Sequence, residues 1–355
     1  MRVRILCLVL ALMAFVGQAV AQRKPAKTAA KPAPTVQELI LQGKVADAVR
    51  VASRSPDAAR ASIKDLMTMA DSQITDRKIA EAQSTLEATA RFADAYAKVN
   101  KNQELPVDSL RGRLLRVQGI QFSDQKQYEK AEATLRQALE LSKRAADGTL
   151  EAGIHNNLGY ALRFQEKPGG EDRLEEAARE FDTAQKMAGE QKDMLRAGSY
   201  NFNLGEVLLQ LGRLDPALQA FKRSEAQNRV SSRGNLEARA ILMQGVVVTR
   251  INPVSKDPMN SEPIRLFQLA ERMFEKLGDN RNAGWSYYLM GDYLAYSQQS
   301  REAIALAERG VPFLTSAGDK TGLAKVYDFV GDMWGRLGDK EKAEKYKNLA
   351  AENRK

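Results

Sequence analysis

The sequence predicts an all-α fold, an α-solenoid of stacked antiparallel helix pairs. Three observations carry that prediction. Six glycines (Gly119, Gly159, Gly205, Gly245, Gly291 and Gly331) sit inside helical patterns, at spacings that alternate between a shorter step and one six positions longer. A glycine in a helix interior costs about 1 kcal/mol against alanine, so its recurrence asks for a packing reason, the close approach of a second helix. Each glycine is followed by small and large residues at fixed offsets: Ala131, Leu135 and Ala138 after Gly119, and Ala217, Phe221 and Ser224 after Gly205. The return from the last of these to the next glycine is constant: Ala138 to Gly159, Ala184 to Gly205, Ser224 to Gly245, Ala270 to Gly291 and Gly310 to Gly331.

The elements follow in chain order. Met1 to Arg4 is basic, Ile5 to Gly17 is apolar, and Ala19-Val20-Ala21 reads as a cleavage site. Residues 1–21 are therefore expected to be a signal peptide, cleaved after Ala21, and the mature protein to be periplasmic or secreted. The apolar run is shorter than the roughly 20 residues of a membrane span, so no transmembrane span is expected in the mature chain. The single cysteine, Cys7, lies in this leader, which leaves no disulfide downstream. Residues 22–35 form a Pro/Ala/Lys-rich linker expected to be disordered. The net charge of +9 is concentrated at this end. Without Arg2 and Arg4 it is +7, and without Arg23, Lys24, Lys27 and Lys31 as well it is +3.

Residues 36–111 read as degenerate helical units. Leu66, Ala70, Ala82 and Leu86 suggest helices near 57–74 and 78–99, and Thr35 to Ser53 suggests part of another pair. Residues 112–355 read as six regular units. In those of Gly159 and Gly245 the first small residue after the glycine (Ala177, Pro263) falls six positions later than in the other units, an insertion between the helices. Asp147, Asp193, Asp279 and Asp319 recur in the returns as candidate N-caps, and Gly278 and Gly318 suit the left-handed position that ends a helix. The last helix, from Asp339, is rich in Lys and Glu, as a solvated end cap requires.

The stretch Asn201-Phe-Asn-Leu-Gly205-x-x-Leu208, followed by Ala217-x-x-x-Phe221, resembles the tetratricopeptide repeat, as does Asn157-Leu158-Gly159-x-x-Leu162. The generic repeat has about 34 residues. The period here is six longer, which resembles the variant found in kinesin light chains and LGN-type scaffolds and implies longer helices in the same topology, a right-handed superhelix of antiparallel helix pairs. The resemblance is good from Gly112 to the C-terminus and weaker before Val99.

The residue counts leave little room for catalysis. One histidine and one cysteine nearly exclude Cys–His dyads, His clusters and Cys-rich metal sites. His155 reads as a core or half-buried residue, since no Ser/His/Asp arrangement surrounds it. Gly169-Gly170 reads as a loop, because no strand precedes it to form a phosphate cradle. No cofactor is expected. Nucleic acid is not expected as a partner either, because the array lacks a continuous basic stripe interleaved with stacking aromatics.

The resemblance implies that the first helix of each pair lines a concave groove, at offsets near −6, −3, −2, +1 and +4 from the glycine. Those offsets give the candidate ligand contacts Arg113, Arg116, Asn157, Tyr160, Arg163, Phe202, Asn203, Arg239, Trp285 and Tyr288. Arginines gather towards the N-terminal half, aromatics in the middle, and Asp292, Asp328 and Asp332 at the C-terminal end. Such a groove suits a protein or peptide segment laid along it. Asn157 and Asn203 match the asparagine that holds a ligand backbone in peptide-binding repeats, and equally suit capping of neighbouring turns. Trp285 and Tyr288 also suit packing between repeats, and Tyr287, Tyr327 and Trp334 fall on core offsets. The expected function is a non-enzymatic interaction scaffold. One alternative is a structural subunit of an envelope complex that uses its convex face or its ends. Another is a glycan-binding or hydrolase accessory with an acid pair near Glu166 and Glu171.

Overall fold

The glycine ladder marks helix crossings. A Cβ built on Gly245 would fall 2.5 Å from Phe267 Cε1, one on Gly205 2.7 Å from Phe221 Cε1, and one on Gly119 2.6 Å from Leu135 Cγ. At Gly291 the neighbour is backbone itself, the Ala303 carbonyl oxygen at 2.7 Å. In the first three of these crossings a large side chain of the second helix lies against the bare Cα of the first.

The structure is a computed structural model that describes residues 33–101, 105–165, 170–253 and 255–354. The expectations for the leader and for most of the linker lie outside the described residues, as does Glu166. A short pair leads, α1 (Val36–Leu41) and α2 (Val45–Ala52), followed by a longer one, α3 (Pro56–Thr75) and α4 (Ile79–Val99). The latter match the helices expected near 57–74 and 78–99. Six pairs follow. They are α5 (Val107–Asp124) with α6 (Tyr128–Arg144), α7 (Gly148–Arg163) with α8 (Gly170–Glu190), and α9 (Met194–Gln210) with α10 (Leu214–Val230). Then come α11 (Gly234–Ile251) with α12 (Glu262–Lys276), α13 (Asn280–Tyr296) with α14 (Ser300–Ser316), and α15 (Lys320–Arg336) with α16 (Lys340–Asn353). No strand occurs among the described residues. None of their helices is long and apolar enough to cross a membrane.

The long period lengthens the helices, as expected. The turn from α6 to α7 takes only residues 145–147. The two insertions lie between the helices of their pairs. One separates α7 from α8, and the other, holding a 3-10 turn at Pro258–Asn260, separates α11 from α12.

Local chemistry sets the boundaries. Thr35 and Glu38 form a reciprocal capping box at the start of α1, with the Thr35 amide donating to Glu38 Oε2 at 2.8 Å. Asp147, Asp193, Asp279 and Asp319 all cap as expected, accepting from the amides of Leu150, Arg196, Asn282 and Gly322 at 3.0–3.1 Å. Asp339 does the same for α16, through the Lys342 amide at 3.0 Å. Gly278 and Gly318 adopt φ of +69° and +65°, the left-handed exit. Elsewhere Lys126, Ala146 and Lys192 take that conformation without being glycine.

The first helices of successive regular units, α5 to α15 in odd steps, approach one another backbone to backbone, whereas no two second helices of those units do so. Crowding on one side and splaying on the other curves the stack. The first helices therefore line the concave surface.

Candidate functional site

The curvature encloses a cavity of about 880 Å³. Its walls come from the end of α3, from α5, α7 and α9, and from the turn into α11. Seven of the ten residues expected on this surface line it: Arg116, Asn157, Tyr160, Arg163, Phe202, Asn203 and Arg239. Arg239 also borders a second hollow of about 560 Å³, with Asn235, Leu242, Asp279, Arg281 and Trp285.

The floor is polar and ordered. Arg116 is 6% exposed, donates through Nε to Asn157 Oδ1 at 2.8 Å and reaches Asp71 at 3.4 Å. Its guanidinium lies over Gly153, where a Cβ would stand 2.5 Å from Cζ. Burial lowers the pKa of Arg116, opposed by Tyr200 and Asp71. Burial also raises that of the Tyr200 hydroxyl, with Arg116 and Arg196 pulling the other way. Asn157 thus uses its acceptor on Arg116, and its amide nitrogen has no partner among the described residues. Asn203 donates to Asn156 Oδ1 at 2.8 Å, which leaves its own oxygen available.

The rim is aromatic. Tyr160, at 36% exposure, packs 4.8 Å from Phe164, which in turn lies 5.9 Å from Tyr128. Arg163 is held by Glu206 at 2.6 Å, with its guanidinium 5.1 Å from the Phe164 ring centre. Phe202 is nearly buried, edge-on to Phe221, and its face supports the guanidinium of Arg239 at 4.6 Å.

No family description and no curated protein matches this sequence. Solved structures do match in shape. The signal transduction ATPase with a tetratricopeptide repeat sensor from Pyrococcus horikoshii superposes with a TM-score of 0.61 at 12% identity, over 89% of this chain and 47% of that one. A Rap protein complexed with competence and sporulation factor gives 0.51 at 12% identity, over 90% and 97%. Aspartyl phosphate phosphatase F from Bacillus subtilis gives 0.51 at 15% identity, over 87% and 74%. The fold is a tetratricopeptide-repeat solenoid.

Three expected contacts of the tetratricopeptide array stand elsewhere than in the main cavity. Arg113 is 5% exposed and bridges Asp71 at 2.8 Å, Asp147 at 2.5 Å and Ser109 Oγ at 2.8 Å. It is an internal strut tying α3, α5 and the cap of α7 together. Burial opposes its charge, but Asp71 and Asp147 outweigh it and raise its pKa. Tyr288 is 9% exposed and packs between Trp285 and Phe329, with its hydroxyl pushed up to about 12 by burial. Trp285 lines only the smaller hollow and donates from Nε1 to Asp319 at 3.0 Å. Of the expected core aromatics, Tyr287 is buried, while Tyr327 and Trp334 are half-buried against the core of the last units. His155 is half-buried and pairs through Nδ1 with Glu180 at 2.5 Å, a helix-to-helix contact.

The cavity also recruits residues that the repeat offsets do not reach. Asp76 and Arg77 come from the degenerate first units, and Arg196 and Arg233 from helix starts. Arg233 reaches across to Asp76 at 3.6 Å, joining segments that lie far apart along the chain. Only the superhelical curvature brings them together.

Proposed function

We propose that this protein is an exported scaffold without catalytic activity of its own, which holds a peptide or protein segment in its concave cavity. The observation that carries this reading is the cavity itself. It combines a rigid polar floor with free amide atoms on Asn157 and Asn203, a half-exposed aromatic edge at Tyr160 and Phe164, and a volume within the usual range of ligand sites. Such a surface offers backbone hydrogen bonds and side-chain anchors to an extended segment, the two components of peptide recognition. A Rap neighbour of the same fold was solved with competence and sporulation factor, which supports a ligand-holding role. Another neighbour is named a phosphatase, and at 15% identity that likeness concerns the fold. Export rests on the three-part leader at residues 1–21, with its apolar stretch and A-x-A site.

The test is affinity capture from an envelope extract, with the wild-type protein beside Tyr160→Ala/Asn203→Ala. Both substituted side chains lie at the cavity surface, so the fold is retained and circular dichroism checks it. A partner held by the wild type and lost by the variant supports the reading. A partner held equally by both moves the interaction to the convex face or the array ends, as expected of a structural subunit. Appearance of a secreted, shortened chain starting at Gln22 tests export.

A further inference from the structure

Arg239 differs from the other buried and half-buried arginines of the concavity; Arg77, which likewise has no ion pair among the described residues, is exposed. Arg116 is engaged with Asn157 and Asp71, Arg163 with Glu206, Arg196 with Asp193 and Arg233 with Asp76. Arg239 is half-buried and lies on the face of Phe202 at 4.6 Å, yet among the described residues it has no hydrogen bond and no ion pair. It stands at the junction of the two hollows, so a segment running from one to the other passes it.

The contact of its Cζ with the Phe202 ring restrains the guanidinium. A fork already held in place loses little freedom when a ligand arrives. Its N–H donors are partly withdrawn from water and have no protein acceptor, and a carboxylate satisfies two of them at once. The field agrees: the main cavity is lined by Arg77, Arg116, Arg163, Arg196, Arg233 and Arg239 against Asp76, Asp124 and Glu206. A low-dielectric concavity with such an excess draws anions.

We infer that Arg239 is the receptor for a carboxylate of an acidic peptide segment laid through the concavity. This rests on the reading of the cavity as a peptide site and adds the chemical class of its ligand. The carboxylate belongs either to an Asp or Glu side chain of the segment or to its C-terminus.

The experiment is fluorescence anisotropy with capped, amidated peptide pools matched in length and aromatic content, one acidic, one neutral and one basic. A fourth pool repeats the acidic one with a free C-terminus. They are titrated against the full protein, Arg239→Gln, Arg239→Lys and Tyr160→Ala/Asn203→Ala. The acidic pools should bind most tightly. Arg239→Gln should weaken them about tenfold or more while leaving the neutral pool unchanged, since one bidentate charged contact is worth at least that. Arg239→Lys should fall between, keeping charge without the fork, and added salt should shrink the difference. Equal binding of both acidic pools assigns the contact to a side chain, and preference for the free terminus assigns it to the chain end. Undiminished binding of the acidic pools by Arg239→Gln overturns the inference. If the double variant meanwhile weakens every pool, the cavity reading survives alone. If neither variant changes anything, or no pool binds, both fall.

Discussion

At the scale of single residues, two buried arginines one helical turn apart on α5 do different work. Arg113 is an internal ion, whereas Arg116 presents its guanidinium at the cavity floor. Removing one member of a buried, hydrogen-bonded pair strands the other, at a cost of about 3–5 kcal/mol. Asp71→Ala should lower the unfolding free energy, by less than that: Asp71 and Arg113 are 5% and 6% exposed at the side chain, but Arg113 keeps Asp147 and Ser109 and Arg116 keeps Asn157. Urea denaturation measures it. The repeated glycines make an opposite test, since alanine is the better helix former. At Gly245 the added methyl meets the Phe267 ring at 2.5 Å, and overpacking of this kind costs about 1–3 kcal/mol. Gly245→Ala should therefore be destabilising despite its higher propensity. The acidic caps set the pH response. Burial works against the charge of Asp147, but Arg113, Ser109 and the Leu150 amide outweigh it and hold its pKa below the ordinary value. For Asp319 burial is likewise outweighed, by the Gly322 amide, Trp285 and Arg281, and its pKa too is lowered. A depressed folded-state pKa contributes stability above the unfolded value and loses it as pH falls through the folded one. Unfolding midpoints should decline as pH drops through and below the normal aspartate range, and Asp147→Asn should flatten part of that decline.

At the scale of helices and turns, the sequence was most legible where one residue type answers one steric demand. Glycine at a crossing, aspartate at a start and glycine at an exit were all readable from spacing, because each has few substitutes. The same demand is met less well at Lys126, which holds φ of 60° without being glycine. A left-handed conformation costs an ordinary residue about 1–2 kcal/mol, partly offset by the greater freedom glycine has in the unfolded chain. Lys126→Gly should raise stability by about 0.5–1 kcal/mol in the same urea assay, the difference between those two effects. The candidate site was less legible, for a reason visible in Arg113 and Tyr288. A groove offset states which side of a helix a residue faces, and not whether the neighbouring unit covers it. Arg113 is covered because Asp71 waits on α3, in a unit whose repeat signature is too degenerate to place that carboxylate. Tyr288 is covered because Phe329 reaches it from α15. Asp76 and Arg233 had no sequence signal at all, since turn residues of distant units meet only through accumulated curvature.

At the scale of the whole molecule, the array is a chain of nearest-neighbour interfaces. The Asp76–Arg233 contact across the cavity mouth is exposed at both ends, and such pairs contribute about 0–1 kcal/mol. The cavity is thus shaped by the stacking of α5, α7, α9 and α11, and Arg233→Ala should leave the melting temperature nearly unchanged. The central claim is that a partner is held on the inner face of this stack. Hydrogen–deuterium exchange of the protein with its captured partner bound tests that claim most directly. The account predicts new protection on α7, α9 and the start of α11, around Tyr160, Asn203 and Arg239, with α6, α8 and α10 unchanged. Protection confined to those second helices, or to α1 and α16 at the ends, would contradict it.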